Sequence, residues 1–403
     1  MSKQVIFTFT EINNKKRQVA ALIGNNRLEG FEIGDNYCGD ASDFTIGDII
    51  VAKIAEVKES IGGMFVNISP KDKAYLPFRE LKNPVIVNKY SKSDGLVAGD
   101  EILVQIIKDA IKTKDPVVST KLTFEGKGFL LTTYRNEVGV SKKLSETDAQ
   151  RFKENARRIL DGNKDFGLIV RTNAISYSDE EFCESLFDIL KITEQLLVES
   201  KHKKVYSVVK KAAPSFISYL ASLKEDDIEK VLTDDENIYN DIVQSKNLLS
   251  RQIIEKTLLY KDDSISLSAL YGLNSKMSEL TEKKVYLKSG AYIIIEQTET
   301  MTVIDVNSGK KDKGYDEDYF YNINSEAAQE IARQLRLRNI SGMILVDFIN
   351  MGSEKEETTL LKEMRHLLKS DSVKCDALDI TKLGLMEITR KKGKRSLAEV
   401  LKE

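Results

Sequence analysis

Histidine and cysteine are scarce in this sequence, and their scarcity removes several chemistries at once. The 403 residues hold 2 histidines and 3 cysteines. Cys38, Cys183 and Cys375 lie far apart and make no CxxC pair. That argues against a zinc cluster and for a reducing compartment. His202 and His366 both fall in helical-looking segments, so a Ser–His pair or a His-rich metal centre is not expected; a single histidine acting as acid or base stays open. No stretch approaches the ~20 apolar residues of a membrane span. Met1-Ser2-Lys3-Gln4-Val5-Ile6 runs directly into a strand pattern and lacks the apolar region of a signal peptide. The expectation is a cytoplasmic chain with no membrane span. A strong net charge is also missing. At −2, the global field does not announce nucleic acid.

What charge there is comes in clusters. Arg390-Lys391-Lys392-Gly393-Lys394-Arg395 is one, and Lys201-His202-Lys203-Lys204 is a smaller one. Either can be a solvated surface or a nucleic-acid contact, so both are supporting evidence only. With 41% hydrophobic and 31% charged residues, the chain can bury real cores and stay in solution. Its length suits roughly two to four domains. It shows no internal repeat, low-complexity tract or long disordered linker.

Residues 3 to 35 alternate as a hairpin would, with Val5-Ile6-Phe7-Thr8-Phe9 and Val19-Ala20-Ala21-Leu22-Ile23 around a polar turn. The piece is too short to hold a core and is expected to pair with something later. Residues 38 to about 122 read as all-β. Gly47-Asp48 and Gly99-Asp100 each precede an apolar strand, and Gly62-Gly63 precedes Met64-Phe65-Val66-Asn67-Ile68. Five short strands at this spacing suggest a small Greek-key barrel of the OB type. Residues 126 to 215 mix strands and helices. Phe152, Ala156, Ile159 and Leu160 make a helical stripe. Phe166 to Val170 is a strand ending at Arg171-Thr172, and Ser178 with Glu181 makes a capping box. The helix behind it carries Leu186, Phe187, Leu190 and Leu197. Residues 216 to 277 are polar and partly helical, with weak strand signals at Val231-Leu232 and Ile238-Tyr239.

The pattern sharpens beyond residue 280. Tyr292 to Glu296 and Met301 to Asp305 look like a hairpin. A helix is expected from about Ser325 to about Arg338, then a strand over 343–347, then a helix with Leu360, Leu361, Met364, Leu367 and Leu368. Two acidic strings stand out here, Ile304-Asp305-Val306-Asn307-Ser308-Gly309 and Leu345-Val346-Asp347-Phe348-Ile349-Asn350. Each puts a carboxylate at the polar end of an apolar run. Such runs are normally buried, and an unpaired buried carboxylate is costly, so a partner is expected. Residues two apart on a strand share a face, so Asp305 and Asn307 point the same way. If the Asp347 strand lies alongside, two carboxylates and an amide oxygen converge. That donor set suits Mg²⁺, with water and a phosphate filling its other positions. The arginines of the intervening helix, Arg333, Arg336 and Arg338, could neutralise transition-state charge. The alternative is that one Asp caps a helix and the other pairs with an Arg. Spacing alone leaves both readings open.

Longer strings decide more. The 38–122 pattern, with GGMFVNI and AYLP, resembles the S1-type RNA-binding domain. MTVIDVNSGK, NSEAAQEIARQLRLRNISGMILVDFINM and LGLMEITRKKGKRSL resemble the catalytic region of the RNase E/G endoribonuclease family, in the same order and spacing. GLIVRT upstream fits the same layout, and the resemblance covers essentially the whole chain.

The resemblance implies an α+β, multidomain protein. Residues 1–37 and 216–277 would form an RNase H-like subdomain. An S1-type (OB) barrel over 38–122 and a 5′-sensor region over 123–215 would be inserted in it. A DNase I-like catalytic domain over 278–403 would follow. Asp305 and Asp347 would bind Mg²⁺, with Mn²⁺ as the alternative ion, and Asn307 would support Asp305. Arg171 and Thr172 would hold an RNA 5′-monophosphate, with Gly126 and Leu130 completing that pocket. A guanidinium fork suits a terminal phosphate. Phe65 and Tyr75 would stack on bases of single-stranded RNA, although either can be a core residue; Lys114 would meet a phosphate or simply be solvated. The implied activity is endonucleolytic cleavage in RNA processing and decay, leaving 5′-phosphate and 3′-hydroxyl ends. A non-catalytic S1-type RNA-binding protein and a metal-dependent DNA nuclease are the rival readings.

The chain also departs from the family pattern. It has no CPxC zinc-link motif, so zinc is not expected and a zinc-linked dimer is not expected, while other oligomers stay open. Asn350 stands where many members have Asp, and Asn173 where Ala is more common. Without a scaffold region, the chain resembles the short, ribonuclease G-like form.

Overall fold

A computed structural model describes residues 3–12, 15–34, 44–108, 115–163, 165–262, 264–309, 319–369, 371, 373–392 and 395–401. Lys114, Cys38 and the charged 310–318 segment lie outside the described residues, as do Gly393 and Lys394. The fold is mixed α+β. Its contacts cluster into two compact units. One comprises Met1–Cys38, Val231–Asp235 and Leu259–Glu403; the other comprises Gly39–Lys230 and Glu236–Leu258. No helix among the described residues is long and apolar enough to cross a membrane.

Two sheets are built mainly from residues of the first unit. Strands Lys3–Ile12 and Lys15–Gly24 form the expected hairpin, in register from Lys3 opposite Gly24 to Ile12 opposite Lys15. A third strand, Arg27–Ile33, extends it, and Ile228–Thr233 and Thr257–Leu259 complete a five-stranded sheet on the other side. Val5, Ile6 and Phe7 are all fully buried, as befits a central strand covered on both faces. The second sheet has six strands in the order Lys284–Tyr286, Tyr292–Gln297, Met301–Asn307, Gly342–Asp347, Leu385–Arg390 and Cys375–Ile380. Met301–Asn307 and Gly342–Asp347 run parallel, joined by helix Tyr319–Leu337. That helix and Glu354–Leu368 bury one face of the sheet. Ile304, Val306, Ile344 and Val346 meet Ala328, Ile331, Leu335 and Met364 in one core. Each such side chain contributes roughly 1.5–3 kcal/mol by leaving water.

Helix Tyr319–Leu337 starts before Ser325, which the sequence pattern suggested as its beginning. Ser325 does not cap it; its hydroxyl donates to Glu363 on the other helix, at 2.7 Å. A second correction concerns Ile238-Tyr239. They lie in helix Glu236–Gln244, not in a strand, because Ile238 and Ile242 bury the same face one turn apart.

The second unit holds a closed five-stranded barrel. Strands Ile49–Lys58, Gly63–Asn67, Lys73–Pro77, Val117–Ser119 and Glu101–Lys108 pair in that order, and the last pairs back with the first. The repeated Gly-Asp signal has a local cause. Gly47 and Gly99 take φ values of 99° and 100°, which a side chain would strain. The following Asp48 and Asp100 are fully buried and hold the turn by accepting from the backbone N–H groups of Thr45 and Val97, at 3.1 and 3.0 Å. A four-stranded sheet of Thr123–Gly126, Phe129–Thr132, Gly167–Val170 and Val138–Val140 follows. Helices Glu146–Ile159 and Asp179–Ser200 pack on it through Phe152, Ala156, Phe182 and Leu186. The Ser178–Glu181 capping box is present. Phe187, expected on the apolar stripe of that helix, is 60% exposed.

Candidate functional site

The two acidic strings come together on adjacent strands. Asp305 and Asp347 are register partners in the parallel pair, and parallel neighbours lie ~4.8 Å apart. Alternation fixes their direction. Ile304 and Val306 are buried under the helices, whereas Asp305 is half-buried and Asp347 exposed on the opposite face. This corrects the reasoning from burial. The apolar runs line a sheet with one open face, which also carries Val303, 37% exposed, and Met343, 55% exposed. The carboxylates are therefore not forced to find a partner by desolvation. They are set apart by repulsion instead, because like charges directly opposite on a sheet destabilise it.

Asn307 donates its side-chain N–H to Asp305 Oδ2 at 2.7 Å. That bond holds one of the two carboxylate oxygens. The segment after Asp347 is held from the helix side. Buried Asn324 donates to the carbonyl of Ile349 at 2.7 Å and accepts from its N–H at 3.0 Å. Asn324 escaped the sequence reading because it reads as one polar residue in an amphipathic helix. Asn350 is exposed beyond this clamp.

The helix arginines do not serve the acidic face. Arg333 and Arg336 lie on the helix that covers the opposite face of the sheet, and Arg338 follows its last residue. Arg333 pairs with Glu330 at 2.6 Å, and buried Arg338 donates to Gln334 at 2.6 Å. The basic 390–395 run is likewise not a uniform basic surface. Arg390 is buried and paired with Asp371 at 2.8 Å. Among the described residues, no cationic side chain pairs with Asp305 or Asp347, and no group of three His, Cys, Asp or Glu is placed to hold a metal. Two carboxylates without a cation, in direct register and open to solvent, fit a divalent ion that keeps several waters.

Gly126 and Leu130 lie on the four-stranded sheet and Arg171 and Thr172 just past the end of its strand Gly167–Val170; Gly126 and Leu130 do not line the cleft beside Arg171 and Thr172. Glu125 pairs with Leu130, Leu130 with Ile169, and Arg171 lies two residues beyond Ile169. Thr172 and Ser141 share a hydrogen bond of 2.9 Å between hydroxyls. A cleft of about 460 Å³ is lined by Arg135, Gly139, Ser141, Arg171 and Thr172. Gly126 has a packing role of its own: a Cβ there would come within 2.1 Å of the Phe129 ring. The sequence reading missed Glu125. Its Oε1 takes the Arg171 guanidinium at 2.7 Å. The guanidinium that would meet a phosphate is thus already matched with a carboxylate of the same sheet.

On the barrel, Phe65 and Tyr75 are register partners with ring centroids 5.8 Å apart. Both are half-buried, on the outer side of strands whose alternate residues Met64, Val66, Ala74 and Leu76 fill the barrel core. Lys58 places its Nζ 5.5 Å from the Phe65 centroid, and the Tyr75 hydroxyl donates to the carbonyl of Ile61 at 2.7 Å.

Residues 123–393 match the Ribonuclease E/G family. Ribonuclease E of Nostoc sp. is 28% identical over 406 residues, covering 99% of this chain and 57% of that protein. Ribonuclease G of Haemophilus influenzae is 29% identical over 372 residues, covering 88% of this chain and 74% of that protein. A chloroplastic ribonuclease E/G-like protein of Arabidopsis thaliana is 29% identical over 332 residues, covering 79% and 33%. The chain spans about half the length of the first curated relatives it matches. The family match alone takes in more than half of the sequence: the chain belongs to the Ribonuclease E/G family.

Proposed function

We propose that this chain is a divalent-metal-dependent endoribonuclease that cleaves single-stranded RNA in RNA processing and decay. The observation that carries the reading is the register pair Asp305–Asp347 on the open sheet face, with Asn307 bonded to Asp305. Asp305 and Asp347 would hold the ion, Mg²⁺ by the oxygen character of the donors. When bound, such an ion polarises phosphoryl oxygens and lowers the pKa of water. Asn307 would hold one oxygen of Asp305 in place. Products would carry 5′-phosphate and 3′-hydroxyl ends. Phe65 and Tyr75 would hold bases on the barrel, and Lys58 beside Phe65 would meet the backbone. Arg171 and Thr172 would favour a 5′-monophosphate, which must displace Glu125 from the guanidinium. In this reading residues 1–37 with 216–277 are the RNase H-like subdomain, 38–122 the S1-type barrel, 123–215 the 5′-sensor region and 278–403 the DNase I-like domain.

The test is cleavage of a 5′-monophosphorylated single-stranded RNA with Mg²⁺, followed by end analysis. Asp305→Ala and Asp347→Ala should lose cleavage. Equal cleavage by both variants would sink the site assignment. RNA binding without cleavage by the unaltered chain would establish the binding-module reading instead. Preference for DNA would favour the third.

A further inference from the structure

The open face that bears Asp305 and Asp347 also bears an aromatic pair. Tyr286 is the register partner of Tyr292, and Tyr292 that of Asn307. In the adjacent row, Lys284 pairs with Ile294 and Ile294 with Asp305. The rows therefore run straight across the sheet: Lys284, Ile294, Asp305, Asp347 in one, and Tyr286, Tyr292, Asn307 in the other. The two rings stand with centroids 6.1 Å apart, at 60° to each other. Lys284 lies over both, its Nζ 3.7 Å from the Tyr292 centroid and 4.7 Å from that of Tyr286.

The core beneath does not account for this cluster. Between Lys284 and Tyr286, Val285 turns to the helix side and packs there, while Tyr286 is 67% exposed. A cross-strand pair stabilises a hairpin, but it does not require a ring this open or a lysine laid across it. An exposed ring with an ammonium beside it matches a stacked base and its phosphate.

We propose that Tyr286, Tyr292 and Lys284 form a stacking site for one nucleotide of single-stranded RNA, next to the phosphate handled at Asp305 and Asp347. The proposal rests on the RNA reading above. Tyr292 stands one strand spacing, ~4.8 Å, from the Asn307 strand, and Tyr286 two. A base takes the exposed ring face, and Lys284 shifts from the rings to the phosphodiester. Stacking accepts any base, so the site adds affinity and position without sequence preference. The base must be unpaired, since a duplex leaves its faces covered.

The experiment uses the full chain and an oligoribonucleotide carrying 5-iodouridine, irradiated in chelator, with crosslinked residues mapped by mass spectrometry. Crosslinks at Tyr286 or Tyr292 are expected. In anisotropy titrations Tyr286→Ala should weaken RNA binding about fivefold or more, and Tyr286→Phe should bind as the unaltered chain does. Should the alanine variant melt early, the crosslinks mapped in the unaltered chain decide the question. Crosslinks confined to other residues, or Tyr286→Ala binding RNA unchanged, overturn the proposal. So does a change in self-association without a change in RNA binding, which would make this face a protein contact. Crosslinking at Tyr286 by a chain that never cleaves RNA would overturn the nuclease reading alone. Cleavage that is normal in Tyr286→Ala, with normal binding, would overturn the stacking site alone.

Discussion

The barrel and the six-stranded sheet each carry a pair of aspartates at the ends of apolar strands, Asp48 with Asp100 and Asp305 with Asp347, and they use them in opposite ways. In the barrel, Asp48 and Asp100 are fully buried. Asp100 accepts from the N–H groups of Tyr90 and Val97 and from Lys89 at 2.8 to 3.0 Å. Asp48 accepts from Thr45, Ala212 and Lys211 at 2.7 to 3.1 Å. Both carboxylates are satisfied by the protein itself. On the sheet, Asp305 has the Asn307 amide, Asp347 is exposed, and the two face each other in register. An acid bonded on all sides is a structural part. An acid left facing another acid has capacity for something the chain does not supply.

The largest expected effect separates these roles on the sheet. Asp347→Asn should lower cleavage on the order of 10³-fold, the several kcal/mol that metal assistance supplies. Measured without divalent metal, its melting temperature should not fall, because the substitution removes a like-charge pair. A large drop in melting temperature would make Asp347 a structural acid like Asp100 and break the contrast.

Asp100→Asn should do the reverse. Losing charge-assisted bonds costs about 2–3 kcal/mol of stability, seen as a lower melting temperature. Burial alone raises the Asp100 pKa, but Lys89 and the amides of Val97 and Tyr90 outweigh it and hold the carboxyl below its ordinary value of 3.8. The folded pKa is thus lower than the unfolded one. The stabilisation is complete above about pH 3.8 and is lost as pH falls through the folded value. The melting gap between variant and unaltered chain should therefore narrow on acidification below that pH. A gap that stays constant would show that the bonds seen at Asp100 carry no charge-dependent stability.

Much of this was legible in advance, for reasons that differ by residue. The barrel was legible because its turns need Gly at positive φ and a buried Asp, which leaves the repeated Gly-Asp mark. The pairing of Asp305 with Asp347 was legible because strand, helix and strand in succession place parallel neighbours side by side. Their exposure was not, since Val303 and Met343 are apolar residues on an open face and disguise the alternation. Ile238 and Ile242 carried a helical signal that two adjacent apolar residues, Ile238-Tyr239, obscured. Tyr286 and Glu125 belong to pairs made by sheet register across separate strands, which spacing along one strand does not show.

The aromatic pairs sharpen the comparison further. Phe65 and Tyr75 on the barrel have Lys58 beside them and Tyr75 tied to Ile61, and the carboxylate opposite Phe65, Glu56, is paired with Lys58 at 3.1 Å. Phe65→Ala should weaken RNA binding about tenfold by loss of one stacked base. Its turnover at saturating RNA should stay near that of the unaltered chain, in contrast to Asp347→Asn. Loss of turnover without loss of affinity would reverse the roles assigned to barrel and sheet.

The smallest expected effect lies at Arg171. Its guanidinium is 44% exposed and its partner Glu125 34%, so the pair itself is worth at most about 1 kcal/mol. A 5′-monophosphate offers more charge and three acceptor oxygens and can displace Glu125, but it must give back that pairing and stand beside a carboxylate. Glu125→Gln keeps the shape and removes the opposing charge. The ratio of cleavage rates for 5′-monophosphate over 5′-hydroxyl RNA should then rise, by up to about fivefold, and Arg171→Ala should bring the ratio to one in either background. If Glu125→Gln lowers the ratio, the carboxylate acts by holding the guanidinium in place rather than by competing with phosphate. Arg171 would then resemble the buried acids of the barrel, a charge whose partner is part of its working geometry.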